Sequence, residues 1–332
     1  MNSNDFTTNV IKQHTVPRFL LDNFGFSKKG KRKQLYTFDK KNCQEFSISV
    51  FDATTRNKFY NINTHPGMIS LEPLLGIHES EAAPIINKLI QRRDIKAITY
   101  KEKCKLANFV AIQRARTYGE YERIKHVNDI FLKKFSTIKL SSIQSHESIG
   151  LEGKDDDKKL FFKLLLEQEQ VTNELLKKDW YLLETNENYP FYISDNPITL
   201  YNSNNNENYG NLGLNVIGIQ IYLPLSPTLT LGIYCPSIRK NFIEKKIECE
   251  NFISRGLRSF RGLDLFNLIE NVKPFINFTT MKQLPQHVKW LNYLQSMYAE
   301  QYIFSKIKNF DLVKEMISDN PDYKSGFRIT SY

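Results

Sequence analysis

Cysteine is scarce in this 332-residue sequence, and its few copies lack the spacings that metal sites and disulfide frameworks use. Cys43, Cys104, Cys235 and Cys249 form no Cys-x-x-Cys pair, and no histidine follows them at zinc-finger spacing. A structural zinc site and a disulfide framework are therefore not expected. Free thiols are typical of proteins in a reducing cytoplasm, which is the location that we expect.

Long apolar runs are also lacking. The longest, near residues 106–112 and 216–225, fall short of the roughly 20 residues that a membrane span needs. The N-terminal residues show no basic segment followed by an apolar stretch, so a signal peptide is not expected. The sequence also lacks the motifs of P-loop ATPases, of Gly-x-Ser-x-Gly hydrolases and of dinucleotide-binding folds. We therefore expect no membrane partner and none of these three functions.

Positive charge is plentiful, with a formal net charge of +10. Such a balance favours a polyanionic partner, because lysine and arginine neutralise phosphates. The excess of lysine over arginine, with abundant asparagine and isoleucine, is also what an AT-rich genome encodes. Charge alone therefore leaves open whether nucleic acid is the partner. The residues that would bind it are Lys28, Lys29, Lys31, Arg32 and Lys33 in one run, with Arg255 and Arg258 in a second group.

The order of the predicted elements indicates the fold class. Short strands, a helical block, a β block and further helices follow one another without the regular alternation of a doubly wound sheet. We predict an α+β fold of one domain, 1–332. A helical part, 65–178, and a β-rich part with a mixed or antiparallel sheet, 179–235, would share a core, followed by C-terminal helices, 236–332.

Local patterns predict individual elements and connections within this frame. Residues 141–157 read as a linker, and 202–215 as an exposed, mobile loop that borders Asp195. Apolar periodicity predicts the remaining elements. These are a helix over 70–92, one or two helices over 100–138, a helix over 160–176, a hairpin of 180–184 with 191–194, strands at 217–225 and 228–234, a helix over 239–261 and another around 290–308.

Five segments stand out in order along the sequence. They are His14-Thr15-Val16-Pro17-Arg18-Phe19-Leu20-Leu21-Asp22-Asn23-Phe24, Glu79-Ser80-Glu81-Ala82-Ala83-Pro84, Phe109-Val110-Ala111-Ile112-Gln113-Arg114-Ala115-Arg116-Thr117, Trp180-Tyr181-Leu182-Leu183 followed by Phe191-Tyr192-Ile193-Ser194-Asp195-Asn196-Pro197, and Leu223-Pro224-Leu225-Ser226-Pro227. Together they resemble motifs of the bacterial domain-of-unknown-function 4238 family. The resemblance runs from about residue 12 to 260, and Leu20 stands where that family usually has an aromatic residue. Family members occur among bacterial anti-phage defence genes, so the resemblance implies an antiviral role without implying a reaction.

Glu79 is the most informative single residue, because it lies at helical spacing from Leu75 and Ile86 on an apolar stripe. A carboxylate there costs energy unless it is paired or binds a metal. Gln113 and Arg116 are three residues apart and so share one face of the next helix. We predict that Glu79, Gln113 and Arg116 meet across two antiparallel helices. The cluster is either catalytic or a buried ion pair that fixes helix packing.

Asp195, Asn196 and His14 are the remaining candidates. Asp195 ends a predicted strand, and Pro197 holds Asn196 extended. A carboxylate there can serve as a metal ligand or general base, or it can cap a turn. We expect Asp195 to be less buried than Glu79. His14 is either a satisfied core residue or a general acid or base, since its pKa lies nearest neutrality.

Two functional hypotheses follow. The first is an effector nuclease that cleaves RNA or DNA during phage infection, with Mg²⁺ or Mn²⁺ bound by Glu79 and Asp195. Its catalytic candidates are His14, Glu79, Gln113, Arg116, Asp195 and Asn196. The second hypothesis is a non-catalytic sensor or binding module in which the same polar cluster is structural. The trigger, the substrate and the oligomeric state are left open by the sequence.

Overall fold

The computed structural model of the chain describes residues 8–64, 67–137, 154–203 and 212–328. These residues form an α+β fold with antiparallel and mixed sheets, as the element order predicted. Most of the predicted linker and most of the predicted Asn-rich loop lie outside the described residues. The mobility predicted for that loop therefore stays a prediction. Residues 154–157, at the end of the predicted linker, begin a helix. Among the described helices, none has the length and apolar character that a membrane span requires.

Fifteen strands are found in the described residues. They are β1 (Lys12–His14), β2 (Gln34–Asp39), β3 (Gln44–Ser49), β4 (Thr55–Asn57), β5 (Asn61–Thr64), β6 (Gly67–Ser70), β7 (Asp179–Glu184), β8 (Ile193–Ser194), β9 (Thr199–Asn202), β10 (Ile219–Ser226), β11 (Leu229–Tyr234), β12 (Ser259–Phe260), β13 (Leu263–Asp264), β14 (Met281–Lys282) and β15 (Tyr302–Ser305).

Ten α-helices are found in the same residues. They are α1 (Arg18–Asp22), α2 (Glu72–Arg92), α3 (Tyr100–Ala115), α4 (Tyr118–Thr137), α5 (Lys154–Leu166), α6 (Glu169–Leu176), α7 (Pro236–Ser254), α8 (Leu265–Asn277), α9 (Pro285–Tyr298) and α10 (Asp311–Asp319).

The larger sheet has the strand order β14-β7-β11-β10-β9 and is antiparallel except where β14 joins β7. All six residues of β11 are buried, because the sheet is covered on both faces. Leu182 and Leu231 pack with the residues of α2 and α3 in the main core. Tyr181 and Tyr234 pack with residues of α9 in a second cluster. Helices α2 and α3 therefore pack in one hydrophobic core with strands of the larger sheet.

The smaller sheet has the order β3-β2-β15-β8 and is antiparallel. Its strand β15 comes from a region predicted to be helical around 290–308. The helix α9 ends at Tyr298, and residues 302–305 after it form a strand instead. The prediction was wrong there, because pairing with both β2 and β8 outweighs the local pattern. The C-terminal region consequently completes a sheet that the N-terminal region begins.

The predicted hairpin of 180–184 with 191–194 is also wrong. Both segments are extended, but β7 pairs with β11 and β14, while β8 pairs with β15. By contrast, the two strands predicted on either side of Ser226-Pro227 are present as β10 and β11, and the structure pairs them antiparallel. A sequence pattern indicates that a segment is extended, but the partner of a strand is decided by packing in the whole chain.

The helices follow the prediction more closely. The segment 100–138 is two helices, and 160–176 is also two helices, separated near Gln168. Helix α7 ends at Ser254, earlier than predicted. A capping box of Thr99 and Glu102 begins α3. Three ion pairs between α2 and α3 run in opposite sequence directions and so establish that these helices are antiparallel. They are Glu79–Arg116, Glu81–Lys105 and Lys88–Glu102.

Candidate functional site

The predicted contact between Glu79 and Arg116 is present. Arg116 follows the last residue of α3, and its Nη1 donates to Oε1 of Glu79 at 2.6 Å. The side chain of Arg116 is 1% exposed and that of Glu79 is 27% exposed. One edge of this ion pair therefore reaches solvent, while its cation is sealed inside the protein.

The guanidinium of Arg116 also binds two other segments. Its Nη2 donates to the backbone carbonyl of His14 at 2.7 Å, and its Nε donates to the hydroxyl of Tyr60 at 3.2 Å. The Tyr60 hydroxyl in turn donates to the backbone carbonyl of Arg116 at 2.8 Å. Burial alone would lower the pKa of Arg116, but Tyr60 and Glu79 outweigh it and raise that pKa. The cation is thus held by bonds from strand β1, helix α2 and the turn after β4.

Gln113 does not reach Glu79, so this part of the prediction was wrong. Its Nε2 donates to the backbone carbonyl of Thr15 at 3.0 Å, and its Oε1 is buried without a hydrogen-bond partner in the described part of the chain. Gln113 sits one turn further from the end of α3 than Arg116 does. It therefore meets the segment after β1 instead of helix α2.

Two titratable groups lie beside this ion pair, His14 and Glu72. Nδ1 of His14 and Oε2 of Glu72 are both buried, and neither has a hydrogen-bond partner among the described residues. Burial lowers the pKa of His14, and Glu79 acts in the opposite direction. Burial raises the pKa of Glu72 from 4.5 to about 7, with Arg116 opposing this shift and Glu79 adding to it. His14, Glu72 and Glu79, held by Arg116, are called the acid–base cluster below.

Sequence reasoning missed Glu72. It stands in the first turn of α2, beside Pro73, where an acidic residue is expected simply as a favourable helix start. A signal was nevertheless present. Glu72 precedes Glu79 by seven residues, which is two helical turns and therefore the same face.

Asp195 belongs to a different network. Its carboxylate accepts backbone N–H bonds from Glu300 at 2.8 Å, Gln301 at 2.8 Å and Tyr302 at 2.9 Å. Asp195 is 7% exposed, and so it is more buried than Glu79, contrary to expectation. Burial raises its pKa to about 6, although the three N–H donors and Lys40 oppose the shift. In the described residues Asp195 makes no hydrogen bond or ion pair with Glu79 or Arg116.

Lys40 is a buried cation that binds the same backbone segment as Asp195. Its Nζ donates to the carbonyls of Ser296 at 2.6 Å, Ala299 at 2.6 Å and Ser325 at 3.1 Å. Burial lowers its pKa to about 8, while Asp195 and Glu300 act in the opposite direction. Lys40 binds carbonyls at the end of α9, and Asp195 binds the N–H groups that follow. Together they fix the backbone that leads into β15.

Asn196 also makes structural contacts. Its Oδ1 accepts the hydroxyl of Thr117 at 3.1 Å, and its Nδ2 donates to the carbonyl of Tyr298 at 3.2 Å. A Cβ at Gly119 would lie 3.2 Å from Nδ2 of Asn196. Asn196 thus joins the start of α4 to the end of α9, and it lines an open cleft between them.

The expected two-carboxylate cation site does not fit these contacts. Both oxygens of Asp195 already accept backbone N–H bonds, and Glu79 is paired with Arg116 in the other network. Among the residues that the structure describes, no group of three or more His, Cys, Asp and Glu side chains is placed to hold a metal ion. No chemical step is therefore derived through Mg²⁺ or Mn²⁺.

The basic residues expected to bind nucleic acid lie on the surface. Lys28, Lys29, Lys31, Arg32 and Lys33 are all exposed, as are Arg255 and Arg258. The guanidinium of Arg32 stacks over the ring of Phe51 at 4.3 Å. Arg255 and Arg258 follow the end of α7, so they lie outside the helix that was predicted to run to residue 261.

Comparison with known proteins gives one match. A family model described as "Protein of unknown function (DUF4238)" matches residues 12–309. The searches of curated proteins and of solved structures found no match. The matched range contains β1, the acid–base cluster and the Asp195 network.

Replacing Asp195 with Asn should destabilise the fold. The amide offers one acceptor oxygen where two now receive three N–H donors, so part of the network loses its acceptor. We expect the free energy of unfolding to fall by about 3–5 kcal/mol in urea denaturation. Asp129→Asn, an exposed change, is the control. Equal stability of the two variants would contradict this structural role.

Replacing Glu72 with Gln should make stability less sensitive to pH. A carboxyl whose pKa is raised on folding stabilises the protein fully below its unfolded pKa and loses that contribution as pH rises through the folded value. The loss should occur between about pH 4.5 and 7 and amount to about 1–2 kcal/mol after solvent screening. Parent and Glu72→Gln should therefore diverge in melting temperature as pH rises, with the parent lower.

Subtracting the melting temperature of the parent from that of Glu72→Gln at each pH cancels the opposite contribution of His14. The lowered pKa of His14 disfavours the folded state in acid. The control is the exposed change Glu187→Gln, which should follow the parent at every pH. A difference between parent and Glu72→Gln that stays constant from acid to neutral pH would contradict the raised pKa.

Proposed function

We propose that this chain, which belongs to the DUF4238 family, is a hydrolase that cleaves phosphodiester bonds of nucleic acid at the acid–base cluster. The observation that carries the proposal is the contrast among three neighbouring groups. Glu79 is ion-paired, Glu72 has a pKa raised to about 7, and His14 has a buried ring nitrogen without a partner. Pairs of titratable groups with divergent environments are typical of acid–base catalysis.

The roles follow from the protonation states. His14, whose pKa burial lowers, is neutral near pH 7 and can accept a proton from an attacking water. Glu72, with a pKa near 7, is partly protonated there and can donate a proton to the leaving oxygen. Glu79 is the more exposed member of its ion pair, and Arg116 fixes its position. Asp195 has no chemical role in this proposal.

Nucleic acid is the proposed substrate because of the charge on the surface. The net charge is +10, and the run of residues 28–33 is exposed to solvent. Phosphate neutralisation by such residues gives binding that depends on salt and not on sequence. The proposed biological role is anti-phage defence in the cytoplasm, and it is supported by the family resemblance alone.

A second candidate function is a non-catalytic sensor or binding module. It is favoured by the completeness of the bonds around Arg116, which is 1% exposed and linked to Glu79, Tyr60 and His14. A buried cation whose three nitrogens all donate hydrogen bonds can serve purely to fix packing. In that case His14 and Glu72 are tolerated inside the fold without taking part in any reaction.

The two functions differ in their response to His14→Asn and Glu72→Gln. A hydrolase should lose cleavage of labelled RNA or DNA about 100-fold or more with either change, because general acid–base groups contribute about that much. Near pH 7, His14→Asn should melt close to the parent and Glu72→Gln at or above it, since neither side chain has a hydrogen bond through its buried atom among the described residues. Protection against phage should fall in parallel.

The matched control is His287→Gln, an exposed histidine. Glu79→Gln provides the structural comparison, because it leaves Arg116 without its carboxylate and should cost about 3–5 kcal/mol of stability. Full cleavage and full protection by both His14→Asn and Glu72→Gln would leave the sensor or binding module as the function.

Binding of nucleic acid should depend on the exposed basic run. Replacing Lys28, Lys29, Lys31, Arg32 and Lys33 with Gln should weaken binding of a DNA duplex of arbitrary sequence. Each phosphate contact that is lost should reduce the slope of log affinity against log salt by about 0.9. Fluorescence anisotropy across a salt series measures this. Binding that ignores salt, or a slope unchanged by the substitutions, would count against this surface.

A further inference from the structure

A cleft of about 550 Å³ opens between α3, α4, the segment after β8 and the end of α9. Its volume falls within the range of small-molecule sites, which is about 300–1,000 Å³. It lies outside the acid–base cluster, and Asn196 is the one catalytic candidate from the sequence that lines it.

Three arginines line this cleft, and two of them are neutralised. Nε of Arg123 donates to Glu120 at 2.8 Å, and Nη2 of Arg328 donates to Glu300 at 2.7 Å. Within the described residues, the guanidinium of Arg114 makes no hydrogen bond or ion pair. Glu120 influences it only at longer range. One positive charge in the cleft therefore lacks a carboxylate at contact distance.

The partly buried guanidinium of Arg114 has lost some of its hydration without gaining a protein partner among the described residues, which is unfavourable unless something binds it. Burial lowers the pKa of Arg114, which reflects this cost. Its five N–H donors form a planar fork that matches the oxygens of a phosphate. Arg114 thus offers a binding group whose partner is a ligand anion.

Aromatic and aliphatic side chains form another part of the cleft lining. The rings of Tyr298 and Phe327 stack with centroids 6.2 Å apart and planes 20° from parallel. Phe327 is 42% exposed, so its ring is accessible. Ile198 and Leu200 add aliphatic surface. These side chains suit a flat, weakly polar group beside the anion.

We propose that this cleft binds a phosphorylated small molecule with a flat aromatic part, of the size of a mononucleotide. Arg114 binds the phosphate, and the Tyr298–Phe327 wall contacts the flat part. The ligand is a free small molecule, because the site is a cleft of limited volume and not an extended groove. The proposal does not depend on hydrolysis at the acid–base cluster.

Isothermal titration calorimetry of the full chain with AMP, GMP, CMP and UMP tests the proposal. At least one nucleotide should bind, and its unphosphorylated nucleoside should bind about 10-fold more weakly or worse. Arg114→Gln should weaken that nucleotide about 10–100-fold, as expected for charge-assisted hydrogen bonds. Arg92→Gln, an exposed change on α2, should bind like the parent.

The stability of the ligand-free protein separates binding from folding. Arg114→Gln removes an unpaired charge, so its melting temperature should equal or exceed that of the parent. If it melts lower, Arg114→Lys keeps the charge, removes the planar fork, and should still weaken the nucleotide. No binding by any of the four nucleotides overturns the proposal. So does equal binding of nucleoside and nucleotide, or unchanged affinity in whichever Arg114 variant melts like the parent.

Discussion

The buried guanidinium of Arg116 is the contact around which the N-terminal half of the molecule is arranged. It bonds to helix α2 through Glu79, to strand β1 through the carbonyl of His14 and to the turn after β4 through Tyr60. A cation sealed from water is unfavourable unless it is paired and hydrogen-bonded. The folded state therefore needs all of these segments in place together. The placement of His14 and Glu72 beside Glu79 is a consequence of this requirement.

A second pair of charges fixes the C-terminal half. Lys40 gathers the carbonyls that α9 leaves unbonded at its end, and Asp195 gathers the N–H groups of the residues that follow. The helix end is thereby satisfied by a cation, as the helix dipole favours. The hydrogen bonds of both side chains go to backbone groups. The network near His14 contains buried side-chain atoms that have no hydrogen-bond partner among the described residues. In the network near Asp195, the side chains are used in structural hydrogen bonds.

Much of the fold and of the candidate site could be predicted from local sequence patterns, and most of the exceptions have a common cause. The apolar stripe of α2 placed Glu79, and the three-residue spacing of Gln113 and Arg116 placed both on one face. What failed depended on partners remote in the chain. The donors to Asp195 lie more than a hundred residues away, and β8 pairs with β15 instead of its sequence neighbour β7. Glu72 was missed for another reason, because its local role as a helix-start acid concealed its position two turns before Glu79.

The position of β15 also affects how the chain folds during synthesis. Strand β2 emerges from the ribosome early, but its neighbour on one side is made of residues 302–305. Throughout most of translation, β2 therefore has one paired edge and one edge of open N–H and C=O groups. Sheets closed by such distant segments form slowly, and an open edge invites pairing with other chains. Completion of this sheet must await the synthesis of residues 302–305, and a chain released before β15 carries an edge suited to self-association.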